Sequence, residues 1–170
     1  YLAAKCFFAV STSTGMDSPV EAFRRPLCFV NFAPLEHLRT YLPLSLAIWK
    51  HHEKDGKRLS VQEIVKEGAG QFMRAEEFER ASIKLVDNTP QEIRALVEEM
   101  ADMMEFRFRP DTQESFWKEF PRSADSTYGY PLHGEIRMRV GSKYLEEYYA
   151  RQQKDIGDHP SARRIEARSV

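Results

Sequence analysis

Two unbroken apolar runs near the start of the chain predict buried strands joined by a short helix. The runs are residues 6–10 and 27–30, and a Ser/Thr/Gly loop at residues 11–15 follows the first. Asp17, Ser18 and Pro19 are residue types that begin helices, and Pro26 prevents the helix from continuing. Unbroken apolar strands joined by a helix are typical of parallel sheets that are covered on both faces. The pattern predicts an α/β fold.

The Ser/Thr/Gly loop lies where such folds bind ligands, at the carboxyl end of a strand and before a helix. Backbone N–H groups, the helix dipole and several hydroxyls meet there, which suits a phosphate. A plain βα turn rich in capping residues is the alternative. The loop has no P-loop lysine and no G-x-G-x-x-G. A hydrolase nucleophile elbow is also not matched, because Ser11 stands where that motif needs glycine.

The pattern along the rest of the chain predicts further strands and helices. Residues 41–49 predict a short irregular or helical segment, and residues 51–58 a charged surface loop. His51, His52 and Glu53 in that loop suggest a metal cluster, but solvated side chains are the favoured interpretation. Residues 82–87 predict a strand. Capping boxes predict helices that begin after Ser60 and after Thr89, and an apolar stripe runs along the second of these helices to residue 104.

The remaining segments predict helices separated by irregular chain. A helix is expected over residues 111–120 with Asp111 as its cap, then irregular chain over 121–133, and a last helix over 143–153. We expect one domain over residues 1–150 and a polar tail over 151–170. The chain has no initiating Met and enters the first strand almost at once. We therefore expect that domain to be incomplete at its N-terminus, with an exposed sheet edge that invites self-association.

Composition narrows the classes of function. The chain has 170 residues, 42% of them hydrophobic and 30% charged, as in a soluble globular protein. Its net charge of -1 offers no basic field for nucleic acid. Cys6 and Cys28 both fall in apolar runs, so we expect buried thiols in a reducing, cytoplasmic setting. No apolar run approaches the roughly 20 residues of a membrane helix.

Three stretches together carry a family resemblance. They are STSTG at 11–15 with FRRP at 23–26 and VN at 30–31; DNTPQEI at 87–93 with EM at 99–100; and RVGSKYL at 139–145. Residues 6–32 resemble the donor-binding half of GT-B-type glycosyltransferases. The order and spacing of all three stretches resemble a family of bacterial glycosyltransferases linked to surface polysaccharides. The resemblance covers residues 1–149, and it implies the Rossmann-like C-terminal domain of a GT-B fold.

The resemblance implies a nucleotide-sugar donor on this domain and a glycan acceptor on a separate N-terminal domain. Ser11, Ser13, Thr14, Gly15 and Met16 would then face the donor diphosphate. Asp17 would lie beside them, Arg24 or Arg25 would add positive charge, and Asn31 would touch the nucleotide. No residue is a convincing general base, since Asp17 in a first helical turn is more often a cap.

The mechanism that follows from the resemblance is sugar transfer without a covalent intermediate, and the chain alone is expected to be inactive. The helix N-terminus and its hydroxyls would stabilise the departing nucleoside diphosphate. No cofactor is implied, and without an Asp-x-Asp motif nothing requires a metal. Two alternatives stay open: a non-catalytic α/β interaction module, and a phosphate-binding hydrolase.

Overall fold

A computed structural model describes residues 1–106, 113–120 and 136–157 of the chain. The predictions for Asp111 and for residues 121–133 lie outside these residues. The helices, including one 3₁₀ helix, and the strands follow one another as α1 (Leu2–Lys5), β1 (Ala9–Ser11), α2 (Asp17–Ala22), β2 (Leu27–Phe32), the 3₁₀ helix (Leu35–His37), β3 (Leu46–Trp49), β4 (His51–Lys54), β5 (Lys57–Arg58), α3 (Val61–Lys66), α4 (Ala75–Arg80), β6 (Lys84–Val86), α5 (Pro90–Phe106), α6 (Glu114–Glu119), β7 (Arg139–Val140) and α7 (Ser142–Gly157).

The main sheet has the strand order β1-β2-β3-β7, and each neighbouring pair is parallel. Helices flank it, so the predicted α/β fold with a small parallel sheet is confirmed, and it is compatible with a Rossmann-like arrangement. On β2, Phe29 contacts Arg39, which is paired with helix α2. Strands β2 and β3 also contact α5. Because all four strands run the same way, the loops after β1, β2, β3 and β7 lie at one edge of the sheet.

A second, antiparallel sheet has the order β5-β4-β6, and here two predictions are wrong. Residues 46–49 form a buried central strand rather than an irregular or helical segment. Residues 51–58 form a hairpin rather than a surface loop, and His51 and His52 are buried. Asp55 and Gly56 form its two-residue turn, with φ of 52° and 76°. Positive φ at both positions is the type I′ geometry that Asp-Gly favours.

Helix α5 packs against the main sheet and against α7. The predicted apolar stripe on α5 is confirmed at its centre, where Leu96, Met100 and Met103 are buried. Gly141, between β7 and α7, has no room for a side chain. A Cβ there would lie 2.7 Å from Leu96 Cδ1 and 3.3 Å from Ile48 Cγ2. Glycine is therefore what lets α7 begin so close to α5.

Two predicted helix starts are confirmed by reciprocal hydrogen bonds. Ser60 Oγ accepts from the Glu63 amide at 3.2 Å, and the Ser60 amide donates to Glu63 Oε2 at 2.7 Å. Thr89 Oγ1 accepts from the Glu92 amide at 3.2 Å, and the Thr89 amide donates to Glu92 Oε2 at 2.7 Å. Each capping box satisfies amides that a helix N-terminus otherwise leaves unpaired.

The beginning of the chain differs from the prediction in detail. Strand β1 begins at Ala9, and Cys6 ends helix α1, so Cys6 is only half-buried and lies outside the strand. Cys28 is buried as expected, and burial together with the nearby Glu99 raises the pKa of its thiol to about 12. The two thiols form no disulfide. Within the described residues β1 pairs only with β2, and Phe7 and Val10 beside this edge are exposed.

At the other end, helix α7 (Ser142–Gly157) extends beyond the helix predicted over residues 143–153, and residues 158–170 of the predicted polar tail lie outside the described residues. Of the helices in the described part of the chain, none has the length and apolar content to cross a membrane.

Candidate functional site

The loop after β1 borders a cavity of about 590 Å³, which we name the loop cavity. Four residues that the resemblance implies at the donor site contribute to its wall, namely Ser11, Thr14, Met16 and Asp17, whereas Ser13 and Gly15 of the same loop are not among its lining residues. The rest of the wall comes from Thr12 and from apolar residues of α1, β1, α2 and β2, and it contains no lysine or arginine. An anionic group bound here would therefore depend on backbone N–H groups and hydroxyls rather than on cationic side chains.

The turn into helix α2 is built by the backbone. Ser13 has a left-handed φ of 65°, and the Asp17 amide donates to the Thr14 carbonyl at 3.0 Å. Met16 occupies the N-cap position, and no side chain caps the helix there. Thr14, Gly15 and Met16 are exposed and Ser13 is half-buried. The loop residues are therefore accessible to solvent. Asp17 does not cap the helix, contrary to the usual role of an Asp in the first helical turn.

Asp17 is held in a buried ion pair. Its side chain is 1% exposed, and Oδ2 lies 3.0 Å from Arg39 Nη2. The Arg39 guanidinium also binds Glu21, one turn further along α2, and lies 5.2 Å from the centre of the Phe29 ring. Asp17 Oδ1 is buried without a hydrogen-bond partner among the described residues. This cluster fixes α2 against β2, and its geometry makes Asp17 a structural anchor beneath the loop.

Two of the predicted donor-binding residues are not among the residues that line the loop cavity, and both have structural partners. Arg25 precedes β2, at the amino edge of the sheet, and its Nε donates to the Ala4 carbonyl at 2.9 Å. Asn31, near the end of β2, exchanges hydrogen bonds with Asn88. The Asn31 amide donates to Asn88 Oδ1 at 2.6 Å, and the Asn88 amide donates to Asn31 Oδ1 at 2.5 Å. Asn88 Nδ2 also donates to the Trp49 carbonyl at 2.8 Å, so this pair joins β2, β3 and the start of α5.

A second cavity, of about 600 Å³, lies between the β4–β5 hairpin, α3 and α7; we name it the basic cavity. Its inner wall includes the aromatic residues Trp49, Tyr144 and Tyr148 and the buried His51. Five cationic residues and one acidic residue also line it: Lys57, Arg58, Lys66, Arg151, Lys154 and Glu63. The Glu63 carboxylate is engaged in the Ser60 capping box. The cavity wall therefore has a strong excess of positive charge.

His51 at the base of this cavity pairs with Glu92. His51 Nε2 lies 3.0 Å from Glu92 Oε1, and both side chains are less than one-tenth exposed. Burial lowers the pKa of His51, against the opposing effect of Glu92, and the charges of Arg58 and Arg151 lower it further. Burial acts to raise the pKa of Glu92, but hydrogen bonds from Thr89 and His51 bring it below its usual range. The pair is thus a neutral imidazole beside a carboxylate at neutral pH.

His52 also lines the basic cavity, but its hydrogen-bond partner differs from that of His51. Its Nδ1 lies 3.0 Å from the Lys50 carbonyl, so Nδ1 carries the proton. Its Nε2 is buried with no hydrogen-bond partner among the described residues. Burial lowers the pKa of His52 to about 4. The side chain is therefore neutral at physiological pH.

Tyr144 and Tyr148 fix the first turns of α7 beneath the basic cavity. Tyr144 Oη donates to the Trp49 carbonyl at 2.9 Å and lies 3.5 Å from His51 Nδ1. Tyr148 Oη accepts from the Val61 amide at 3.0 Å, which ties α7 to α3. Burial raises the pKa of both phenols. Both rings also pack edge-on against Trp49. The inner wall of the cavity is therefore rigid.

The sequence did not reveal the basic cavity, because residues 51–58 were interpreted as a surface loop. One signal was present: Asp55-Gly56 between two short polar segments is typical of a hairpin turn. Recognising it would have paired Glu53 with Arg58 and Lys54 with Lys57 on neighbouring strands. Nothing local in the sequence indicated that α7 would bring Arg151 and Tyr144 to the same place.

Within the described residues, no group of three or more His, Cys, Asp and Glu side chains is arranged to hold a metal ion. No protein-family model matches the chain, and neither a curated protein nor a solved structure matches it. Functional assignment therefore depends on the geometry of the two cavities and on the resemblance of the three sequence stretches.

Proposed function

We propose that this chain is the donor-binding domain of a GT-B-type glycosyltransferase, which transfers a sugar from a nucleotide-sugar to a glycan acceptor. The observation that carries the proposal is the position of the hydroxyl-rich loop at 11–16. It lies at the carboxyl edge of parallel strands and borders a cavity of about 590 Å³. That volume falls within the usual range for small-molecule sites, and this edge is where open α/β sheets bind their ligands.

The packing of the three resembling stretches supports the same proposal. Asn31 of the first stretch is bonded to Asn88 of the second. Glu99 of the second stretch accepts from the Ser142 amide and from Ser142 Oγ of the third, both at 2.7 Å. The stretches that carry the resemblance are therefore joined in one hydrogen-bonded scaffold. These residues therefore have a shared structural role in the scaffold, and none of them needs a ligand to account for its position.

In the proposed complex, the donor diphosphate lies against Ser13, Thr14, Gly15 and Met16, with Ser11 at the end of the strand. Backbone N–H groups and hydroxyls stabilise the charge that develops on the departing nucleoside diphosphate. Asp17 holds the helix in place through Arg39, so its carboxylate supports the loop rather than facing the phosphates. The acceptor and the catalytic base belong to another part of the enzyme, and we propose a cytoplasmic location, where nucleotide-sugars are made.

Thermal stability measured with UDP, GDP, CMP, ADP and their sugar conjugates tests the proposal, because a ligand that binds only the folded state raises its stability. We expect one nucleotide, and not the others, to raise the midpoint temperature of thermal unfolding. The double variant Ser13→Ala/Thr14→Ala is expected to lose that rise. Ser18→Ala, at an exposed serine on helix α2 just after the loop, is the control and is expected to keep the rise.

The main alternative to this function is a non-catalytic α/β interaction module that has the same fold but binds no nucleotide-sugar. Its support is structural, since Arg25, Asn31 and Asp17 all have packing partners. This alternative predicts no selective rise with any nucleotide, and equal behaviour of the wild type and the Ser13→Ala/Thr14→Ala variant. Selective stabilisation that the double variant abolishes would exclude it.

A further inference from the structure

The basic cavity has features of a ligand site that the proposed function does not use. It is separate from the loop cavity and shares no lining residue with it. Its volume of about 600 Å³ is sufficient for a small ring-containing molecule. Trp49, Tyr144 and Tyr148 give it a buried aromatic wall, and hydrogen bonds to backbone groups hold the two tyrosines in place. A preformed wall of this kind reduces the entropy that a ligand loses on binding.

The charge of the cavity is unusual for this chain. The whole protein carries a net charge of -1, yet five lysines and arginines line this one cavity with a single glutamate. They come from three separate segments: the β4–β5 hairpin, helix α3 and helix α7. Bringing like charges together is unfavourable unless an anion compensates them. The arrangement is therefore expected to favour a negatively charged ligand.

Two arginines define where the anion would lie. Arg58 on β5 and Arg151 on α7 line the same cavity as the buried His51 and Tyr144, and the positive charge of each arginine acts to lower the pKa of both groups. Within the described part of the chain, Arg58 has one long ion pair, 3.6 Å from its Nε to Glu53, and Arg151 has none. His51 is already bonded to Glu92 and adds no positive charge at neutral pH. The two guanidinium groups are thus the strongest anion-binding groups at the base of the cavity.

We propose that the basic cavity binds the phosphate ester of a small ring-containing molecule, with Arg58 and Arg151 on the phosphate and the ring against Trp49 and Tyr148. A phosphate dianion matches the excess of positive charge better than a single carboxylate, and guanidinium groups bind its oxygens in pairs. Lys66 and Lys154, which are exposed at the rim, increase the attraction for such a ligand. This site is independent of the proposed donor site.

Calorimetric titration of the full chain with glucose 6-phosphate tests the proposal, with glucose as the neutral control and glucuronate as the carboxylate control. We expect saturable binding of glucose 6-phosphate, no binding of glucose and weaker binding of glucuronate. Arg58→Gln and Arg151→Gln are each expected to weaken binding at least about tenfold, as the loss of one charge-assisted contact implies. Arg80→Gln, an exposed arginine on α4 outside the cavity, is the matched control.

Circular dichroism of each variant confirms that the fold is kept before the affinities are compared. Absence of saturable binding to the wild type would overturn the proposal. It would also be overturned if Arg80→Gln weakened binding as much as the two cavity variants, since the effect would then be one of overall charge. Equal affinity for glucuronate would overturn the choice of a phosphate ester. Binding that persists in Ser13→Ala/Thr14→Ala but is lost in Arg58→Gln supports a site distinct from the donor site.

Discussion

Acid is expected to destabilise this protein through His52. In the folded chain this imidazole is buried, donates from Nδ1 to the Lys50 carbonyl, and has its pKa lowered from 6.5 to about 4. The unfolded chain keeps the ordinary pKa, so it binds more protons than the folded chain between these two values. The stability that neutral His52 provides is complete above pH 6.5 and is lost as the pH falls toward 4. The difference corresponds to about 3 kcal/mol.

The variant His52→Asn isolates this effect from other titrating groups. Asparagine keeps a donor near the position of Nδ1 but does not titrate. We expect the variant to be less stable than the wild type at neutral pH, because burial of the ring is lost. On acidification toward about pH 4.5 the wild type should lose about 2–3 kcal/mol more than the variant. Urea unfolding at a series of pH values measures the free energy of unfolding of the wild type and of the variant. If the difference in free energy of unfolding between the wild type and the variant stayed constant with pH, the reasoning would be refuted.

Three further substitutions test the packing around the candidate sites by urea unfolding. Gly141→Ala places a Cβ 2.7 Å from Leu96 Cδ1 and should cost about 1–3 kcal/mol, whereas Gly15→Ala, which meets nothing within 4 Å, should cost less. Asn88→Ala leaves the Asn31 amide without its acceptor and should lower the free energy of unfolding by about 2–3 kcal/mol. A loss of less than about 0.5 kcal/mol would contradict the bridging role of Asn88. Arg39→Met leaves the Asp17 carboxylate buried without its partner and should cost about 3 kcal/mol, most of which Asp17→Asn in the same chain should restore.

The α/β class and the parallel pairing of β1 with β2 could be predicted, because unbroken apolar runs around a short helix have few other arrangements. The capping boxes at Ser60 and Thr89 were also predictable, since they depend only on residues three positions apart. Of the second sheet, the strand predicted over residues 82–87 is confirmed as β6, but β4 and β5 were not predicted. Its strand β4 carries the charged sequence His-His-Glu-Lys, and the buried His51 is paired with Glu92, which lies 41 positions further along the chain. Tertiary contacts of that kind leave no periodic signal.

The role of individual residues in the candidate donor site was the hardest part to predict. The family resemblance implies that Asn31 touches the nucleotide, and Asp17 is a candidate because it lies beside the loop. The structure instead gives them partners, Arg39 and Asn88, that lie 22 and 57 positions further along the chain. Arg25 was selected for its charge, but the direction of β2 places it at the opposite edge of the sheet from the loop. Residue type and local position therefore indicated the loop, and only the folded chain separates its exposed residues, such as Thr14 and Met16, from its buried anchor Asp17.

The central claim is that a nucleotide-sugar binds at the loop after β1. Chemical-shift mapping of the ¹⁵N-labelled chain during titration with UDP, GDP, CMP and ADP tests it most directly, because every backbone amide reports its own surroundings. The account predicts that one nucleotide shifts the amides of residues 11–17 in a saturable way, while those of residues 75–80 on α4 stay unchanged. Shifts confined to the basic cavity, or no saturable shift with any of the four nucleotides, would contradict it.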